Sequence, residues 1–295
     1  MTNKTTVNIC GSICLFMKGG SFFNTTIIKI GGIIMKDLRE KNEFEFYEKI
    51  KDWSFDEFDI ETEYLTDWDM YEILERITDS NSRVLDLGTG GGEKVLARFP
   101  EYLKEIVATD YSKEMIKTAN ENLRKSGRSN ITFRVMDNLE MDVPKNYFDV
   151  VVARHTVTDP KQIYEVLKPG GYLIIRGVDK LDCWELKRVF QKGQGFYDEK
   201  PISLIDYENV LDAGFKDVEL VPIHCREYFK DYEKFYNFLL KVPIIDDFSE
   251  IANDSCDYYL KDLDKEKLDE YVSENTYQKR IRLIRRYYGI TARKK

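Results

Sequence analysis

Between residues 83 and 178 short apolar runs alternate with segments whose apolar residues fall at helical spacing, and this alternation limits the folds open to the chain. RVLDLG (83–88), EIVATD (105–110), ITFRVMD (131–137), YFDVVVARH (147–155) and YLIIRGV (172–178) read as strands. EKVLARFP (93–100), KEMIKTANENLRKSG (113–127) and KQIYEVLKPGG (161–171) read as helices, ended by Pro100, by Gly127 and by a Pro-Gly-Gly turn. Strands that are apolar almost throughout and joined by helices make an α/β, mostly parallel sheet covered on both faces. Helices around 184–190 and 203–214 follow, then a strand at 218–224, a helical stretch at 231–242, a charged segment and a closing strand at 282–294, seven strands in all.

The flanks differ from this centre. Residues 1–34 carry three lysines and no acid; the codons for Gly31-Gly32 can encode a ribosome-binding sequence spaced by two isoleucines from Met35, so this stretch reads as translated leader or disordered tail. Residues 35–80 read as two or three helices forming an N-terminal lid, in which Tyr47, Trp53, Tyr64 and Trp68 either cover a substrate or pack onto the sheet. The N-terminal boundary of the main domain then falls near 81, and the domain runs to 295 with an insert at about 226–278. No apolar run reaches the roughly 20 residues of a membrane helix. The five cysteines are scattered and odd in number, which suits a reducing cytoplasm; Cys10 and Cys14 have no second pair to complete a metal site, so no metal is expected. All 53 acids fall within 35–278 against 34 bases, an acidic body that repels nucleic acid, whereas 279–295 holds eight bases and no acid.

The sharpest local feature is LDLGTGGGE, where the first strand runs into four glycines and then a helix. Glycines permit positive φ and close approach of a ligand, and the free N–H groups of a helix start favour negative charge. A dinucleotide fingerprint would need glycine at position 93, which is Glu93. Asp86-x-Gly88-x-Gly90-x-Gly92 instead resembles the first motif of the class I, Rossmann-like S-adenosylmethionine (SAM) dependent methyltransferases. Asp110 at the second strand end, Asp137-Asn138 at the third and the 167–171 LKPGG connection stand where that family has its landmarks. The resemblance implies that Asp86, Gly88, Thr89, Gly90, Gly92 and Glu93 lie against the methionine and ribose portions of SAM, with Glu93 suited to its cationic end. It further implies that Asp110 meets the ribose, that Asp137 and Asn138 border the adenine, and that Tyr111 and Met115 also contact the cofactor. Together with ARH (153–155) and FYNFLLKVP…DDF, the pattern is also similar to a group of bacterial stand-alone methyltransferases.

The loop after the fourth strand opens at the carboxyl edge, where ligands sit in such sheets. It carries His155, one of two histidines, as a candidate base for the acceptor's proton or as a ring bonded to backbone. Arg154 is a candidate both for the cofactor and for a carboxylate or phosphate on the acceptor, or for pairing with a local acid. His224 and Cys183 read as structural. No N/D-P-P-Y/F or Pro-Cys motif follows this strand, which argues against that family's routes to adenine amines, glutamine amides and cytosine C5. The expectation is methyl transfer to a small-molecule acceptor. RNA methylation through the basic tail and SAM binding without catalysis are the alternatives, and acceptor and oligomeric state stay open.

Overall fold

The computed structural model describes residues 55–245 and 264–295. The expected leader, Tyr47, Trp53 and the remainder of 35–54, together with Cys10, Cys14, Cys256 and residues 246–263 of the insert, lie outside them. A short 3-10 turn (Asp56–Phe58) leads into β1 (Glu61–Tyr64) and helix α1 (Met70–Ile77), whose first turn is capped by the Asp69 side chain accepting the Tyr71 and Glu72 N–H groups. Then follow β2 (Arg83–Leu87), α2 (Glu93–Arg98), β3 (Glu105–Asp110), α3 (Lys113–Ser126), β4 (Ile131–Val135), β5 (Phe148–Arg154), α4 (Pro160–Val166) and β6 (Leu167–Val178). Helix α3 starts on the Ser112 cap and ends on a left-handed Gly127; α4 starts on the Asp159 cap with Pro160 in its first turn.

Beyond β6 come α5 (Trp184–Phe190), α6 (Ile202–Asp212), β7 (Lys216–Phe229), α7 (Tyr232–Lys241), α8 (Lys265–Asn275), the two-residue β8 (Thr276–Tyr277) and β9 (Arg280–Arg293). The sheet order is β1-β7-β9-β6-β5-β2-β3-β4, with β8 paired to β9. Strands β2 to β6 are parallel, and β9 runs antiparallel between β6 and β7. Alternate residues of each strand face opposite ways. Leu85, Val151, Ala153, Leu173 and Ile175 pack with Ile163 and Val166 of α4 and Val210 of α6. Val84, Ile106, Val150, Val152 and Ile174 pack on the other face with Leu74 of α1, Val95 of α2 and Ile116 of α3.

Three expectations need correction. The strand count is nine rather than seven, because β1 adds to one edge and the short β8 pairs with the start of β9. Residues 61–64 form a strand, not lid helix: β1 pairs antiparallel with β7, and Glu63 accepts from Arg226 and from the Tyr228 hydroxyl on that partner. Strand β7 runs past His224 to Phe229, because Ile223, Cys225 and Phe229 keep burying alternate positions against β9 up to the Phe229–Ile281 register pair. The two long strands thus project beyond the parallel core, and α7, α8 and the turn at Phe58 pack round them in a separate apolar cluster.

Candidate active site

Strand β2 is central and buried, and it delivers Asp86 to the carboxyl edge with only 5% of its surface exposed. Burial raises its carboxyl from 3.8 to about 7; the Thr89 hydroxyl and the charge of Arg154 offset only part of this. The turn that follows is shaped by positive φ. Gly88 has φ +73°, and a Cβ there would lie 2.6 Å from Thr156 Cβ; Gly92 has φ +79°, and a Cβ there would lie 2.6 Å from Phe133 Cζ.

The turn is tied down from both sides. The Gly90 N–H donates to Asp110 Oδ2 at 2.9 Å, and the Thr89 N–H donates to the Thr109 carbonyl at 2.8 Å. Asp110 Oδ1 accepts the Ser112 N–H at 2.9 Å, and burial outweighs these bonds to raise its carboxyl. Glu93 opens α2, and its carboxylate folds back against Gly91. Tyr111 is exposed, while Met115 is buried in the first turn of α3, where its N–H is capped by Ser112 Oγ.

At the end of β4, Asp137 Oδ1 accepts the Leu139 N–H at 2.8 Å. Asn138 Nδ2 donates to Thr156 Oγ1 at 2.9 Å, so the loops after β4 and β5 meet over Gly88. Asn138 Oδ1 is buried without a hydrogen-bond partner among the described residues. Buried polar atoms are normally satisfied, so an orphan bordering the glycine turn suits a polar ligand rather than a closed core.

His155 follows β5 with φ +53°, an uncommon left-handed setting outside glycine, and its N–H donates to the Arg176 carbonyl at 2.8 Å. Its ring stacks on Tyr287, centroids 5.3 Å apart, and Nε2 lies 2.6 Å from Arg176 Nη1. A guanidinium only donates, so Nε2 accepts and the ring is the neutral Nδ1–H tautomer. His155 is an exposed residue, yet packing around its ring, then the charges of Arg154, Arg176 and Arg285, lower it from its ordinary range. Arg154 and Arg176 are register partners on β5 and β6, and Arg176 also sits over Tyr287 at 4.2 Å.

The sequence reading therefore has its residues along one sheet edge: Asp86, the glycines and Asp110 at β2 and β3, Asp137 and Asn138 at β4, Arg154 and His155 at β5. It missed Thr156, Arg176 and Tyr287. Arg176 leaves one signal, a lone charge near the end of the apolar run YLIIRGV. Trp68 packs onto the sheet at Gly289, where an added Cβ would lie 2.5 Å from its ring, and Tyr64 is exposed on β1. His224 lies in β7, with its carbonyl accepting the Leu65 N–H and its own N–H donating to Thr66 Oγ1.

A glycine turn on the central strand of a parallel sheet, with carboxylates at the next strand ends, defines a nucleotide-cofactor domain of the doubly wound class. Residues 78–215 match the family model described as "Methyltransferase domain". Over these residues, just under half of its length, the chain is similar to a methyltransferase domain of the class I, Rossmann-like, SAM-dependent kind. The chain is 34% identical over 99 residues to the ribosomal protein L11 methyltransferase of Listeria innocua, covering 32% of each protein. It is 32% identical over 120 residues to the protein-L-isoaspartate O-methyltransferase of Dictyoglomus thermophilum, covering 40% of this chain and 54% of that one. The chain thus spans between a third and about half of the length of these two relatives. Among solved structures, phosphoethanolamine N-methyltransferase 2 of Haemonchus contortus in complex with SAM is 22% identical, covering 77% of this chain and 52% of that chain at a TM-score of 0.44. Among the described residues no helix is long and apolar enough to cross a membrane.

Proposed function

We propose that the chain transfers a methyl group from SAM to a small-molecule acceptor bound over His155, at the carboxyl ends of β5 and β6. The observation that carries this reading is Asp86. Among the described residues no cation lies within 4 Å of this buried carboxylate, and Arg154 offsets only part of its burial, so a ligand that brings a cation suits it, as the ammonium of SAM does. SAM supplies an electrophilic sulfonium methyl group with a good leaving group, so the protein's own work is largely alignment and exclusion of water.

In this reading Asp86 receives the ammonium, the free lone pairs of Asp110 accept the ribose hydroxyls, and Asn138 Oδ1 gains the partner it lacks. Tyr111, Met115 and Asp137 border the adenine. His155, neutral at physiological pH, is the candidate acceptor of the proton released from the methylated atom, and Arg154 orients the acceptor beside it. Deprotonating Nε2 is not required; it must only be released by Arg176 when the acceptor enters.

Two rival readings remain from the sequence. RNA methylation drew on the basic C-terminal tail, but several of those charges are engaged internally. Arg280 pairs with Glu61, Arg285 with Asp182, Arg286 with Glu185, and Lys294 Nζ donates to the Tyr164 and Leu167 carbonyls. The relatives' protein substrates do not carry over, since the matched stretches cover only part of those enzymes. Calorimetry with SAM, followed by methyl-transfer assays on pooled metabolites and on RNA, separates the readings. We expect binding, and transfer to the metabolite pool. Transfer to RNA alone would favour the first rival, and binding without transfer to either pool would favour a non-catalytic SAM-binding protein. Failure to bind SAM would overturn the proposal.

A further inference from the structure

Arg154 and Arg176 occupy an arrangement that the fold alone does not justify. They are direct register partners on parallel strands, so their side chains leave the same face of the sheet from backbones about 4.8 Å apart. Like charges placed opposite one another on neighbouring strands are destabilising. Elsewhere in the described residues other half-buried cations are either matched to carboxylates within 4 Å, as Arg83 is to Glu105, Lys168 to Asp149, Arg285 to Asp182 and Glu227, and Arg286 to Glu185, or donate to several backbone carbonyls, as Arg128 and Lys294 do. Among the described residues neither Arg154 nor Arg176 has a carboxylate within that distance. Asp86 feels the charge of Arg154 but sits at the end of β2, on the other side of β5 from Arg176.

The surroundings reinforce the excess of positive charge. Lys94, in the first turn of α2, is lowered from its ordinary value by burial and then by Arg154, with Arg98 and Arg176 acting in the same sense. Arg176 is held only by a neutral imidazole and an aromatic face, the His155 ring and Tyr287, both of which leave its other N–H donors available. The strained His155 backbone is what brings that ring under the guanidinium. Two arginines leaving one face of neighbouring strands, with the charge of Lys94 near enough to feel both, form a seat for a group that accepts several hydrogen bonds, a carboxylate or a phosphate.

We infer that the acceptor is an anion, and that its carboxylate or phosphate is seated between Arg154 and Arg176 with His155 beside it. This rests on the methyltransferase reading. Sheet order assigns the seat to the acceptor rather than to the methionine carboxylate of SAM: the glycine turn leaves β2, whereas Arg176 and Tyr287 belong to β6 and β9, two and three strands further along.

The test uses the full chain and S-adenosylhomocysteine, which first establishes cofactor binding. The saturated protein is then titrated calorimetrically with inorganic phosphate and with acetate, alongside Arg176→Gln and Arg176→Lys. Arg154→Gln serves as a second variant should Arg176→Gln not fold. We expect at least one of the two anions to bind, to lose about tenfold or more in affinity in Arg176→Gln, and to lose less in Arg176→Lys, with S-adenosylhomocysteine changed by less than about threefold. Failure of the parent protein to bind either anion would overturn the inference while leaving the cofactor reading intact. So would a tenfold loss of S-adenosylhomocysteine in Arg176→Gln with 5′-methylthioadenosine, which lacks the carboxylate, binding as before; the seat would then belong to the cofactor. Absence of S-adenosylhomocysteine binding to the parent would bring down both readings together.

Discussion

Replacing Asp86 by asparagine should make the empty protein more stable and the cofactor site worse. The carboxyl is held at about 7 against an ordinary 3.8, because burial disfavours its charged form. Between those two values the unfolded chain has lost the proton and the native chain keeps it. The native state therefore binds more protons, and its stability falls as pH rises through that window. Above about pH 7 both states are ionised and the whole penalty stands, about 4 kcal/mol from the size of the displacement. Asparagine has nearly the same shape and no charge to bury. In urea denaturation without cofactor, Asp86→Asn should match the parent near pH 4 and exceed it by about 2–4 kcal/mol near pH 8. The same variant should bind SAM about tenfold or more weakly, since the ammonium loses its counter-charge. A stability difference that did not change between the two pH values, or a less stable variant near pH 8, would refute the account of Asp86 as a carboxylate kept at a cost for a cationic ligand.

Other expectations follow from the same geometry. Gly92→Ala places a Cβ on Phe133 in a left-handed backbone and should destabilise by about 2–4 kcal/mol in urea denaturation; a loss below about 0.5 would contradict the crowding. Asp182, 2% exposed, accepts from Arg285 Nε and Nη2 and from the Arg286 N–H, so Asp182→Ala strands a buried guanidinium on Glu227 alone. It should lose about 3–5 kcal/mol, largely unchanged by added salt, whereas Lys145→Ala, which breaks the exposed pair with Glu165, should lose less than about 1 kcal/mol. With two histidines in the chain, proton NMR of His224→Ala isolates His155. Its imidazole should not titrate between about pH 8 and 6; an inflection near 6.5 would show that the three arginines do not act on it as described.

The parallel sheet was legible because buried strands such as VLDL and DVVVA are apolar on both faces, a pattern that few other structures tolerate. The glycine turn was legible because Gly88 and Gly92 take backbone angles that other residues avoid. Strand β1 was not, since all four of its residues are exposed and its existence depends on β7, more than 150 residues away. Arg176 was missed for a related reason. Its partnership with Arg154 comes from strand register, and its hold on His155 from a turn after a different strand; neither has a periodicity that a single chain displays. The buried Asp182–Arg285–Glu227 group was hidden in the same way, within a tail that reads simply as basic.

The arm made by β7 and β9 has a consequence for how the molecule opens. Its outer cluster, with Phe229, Phe235, Phe238, Leu268 and Tyr271, is distinct from the two clusters that sandwich the parallel strands. Separate cores permit separate cooperative units, so the arm's tip can come apart and close again while β2 to β5 stay protected. The cofactor turn lies at the end of strands that these two clusters sandwich. Helices α7 and α8 belong to a unit whose opening free energy can drift by mutation, a setting in which this end of the molecule can be remodelled without disturbing the other.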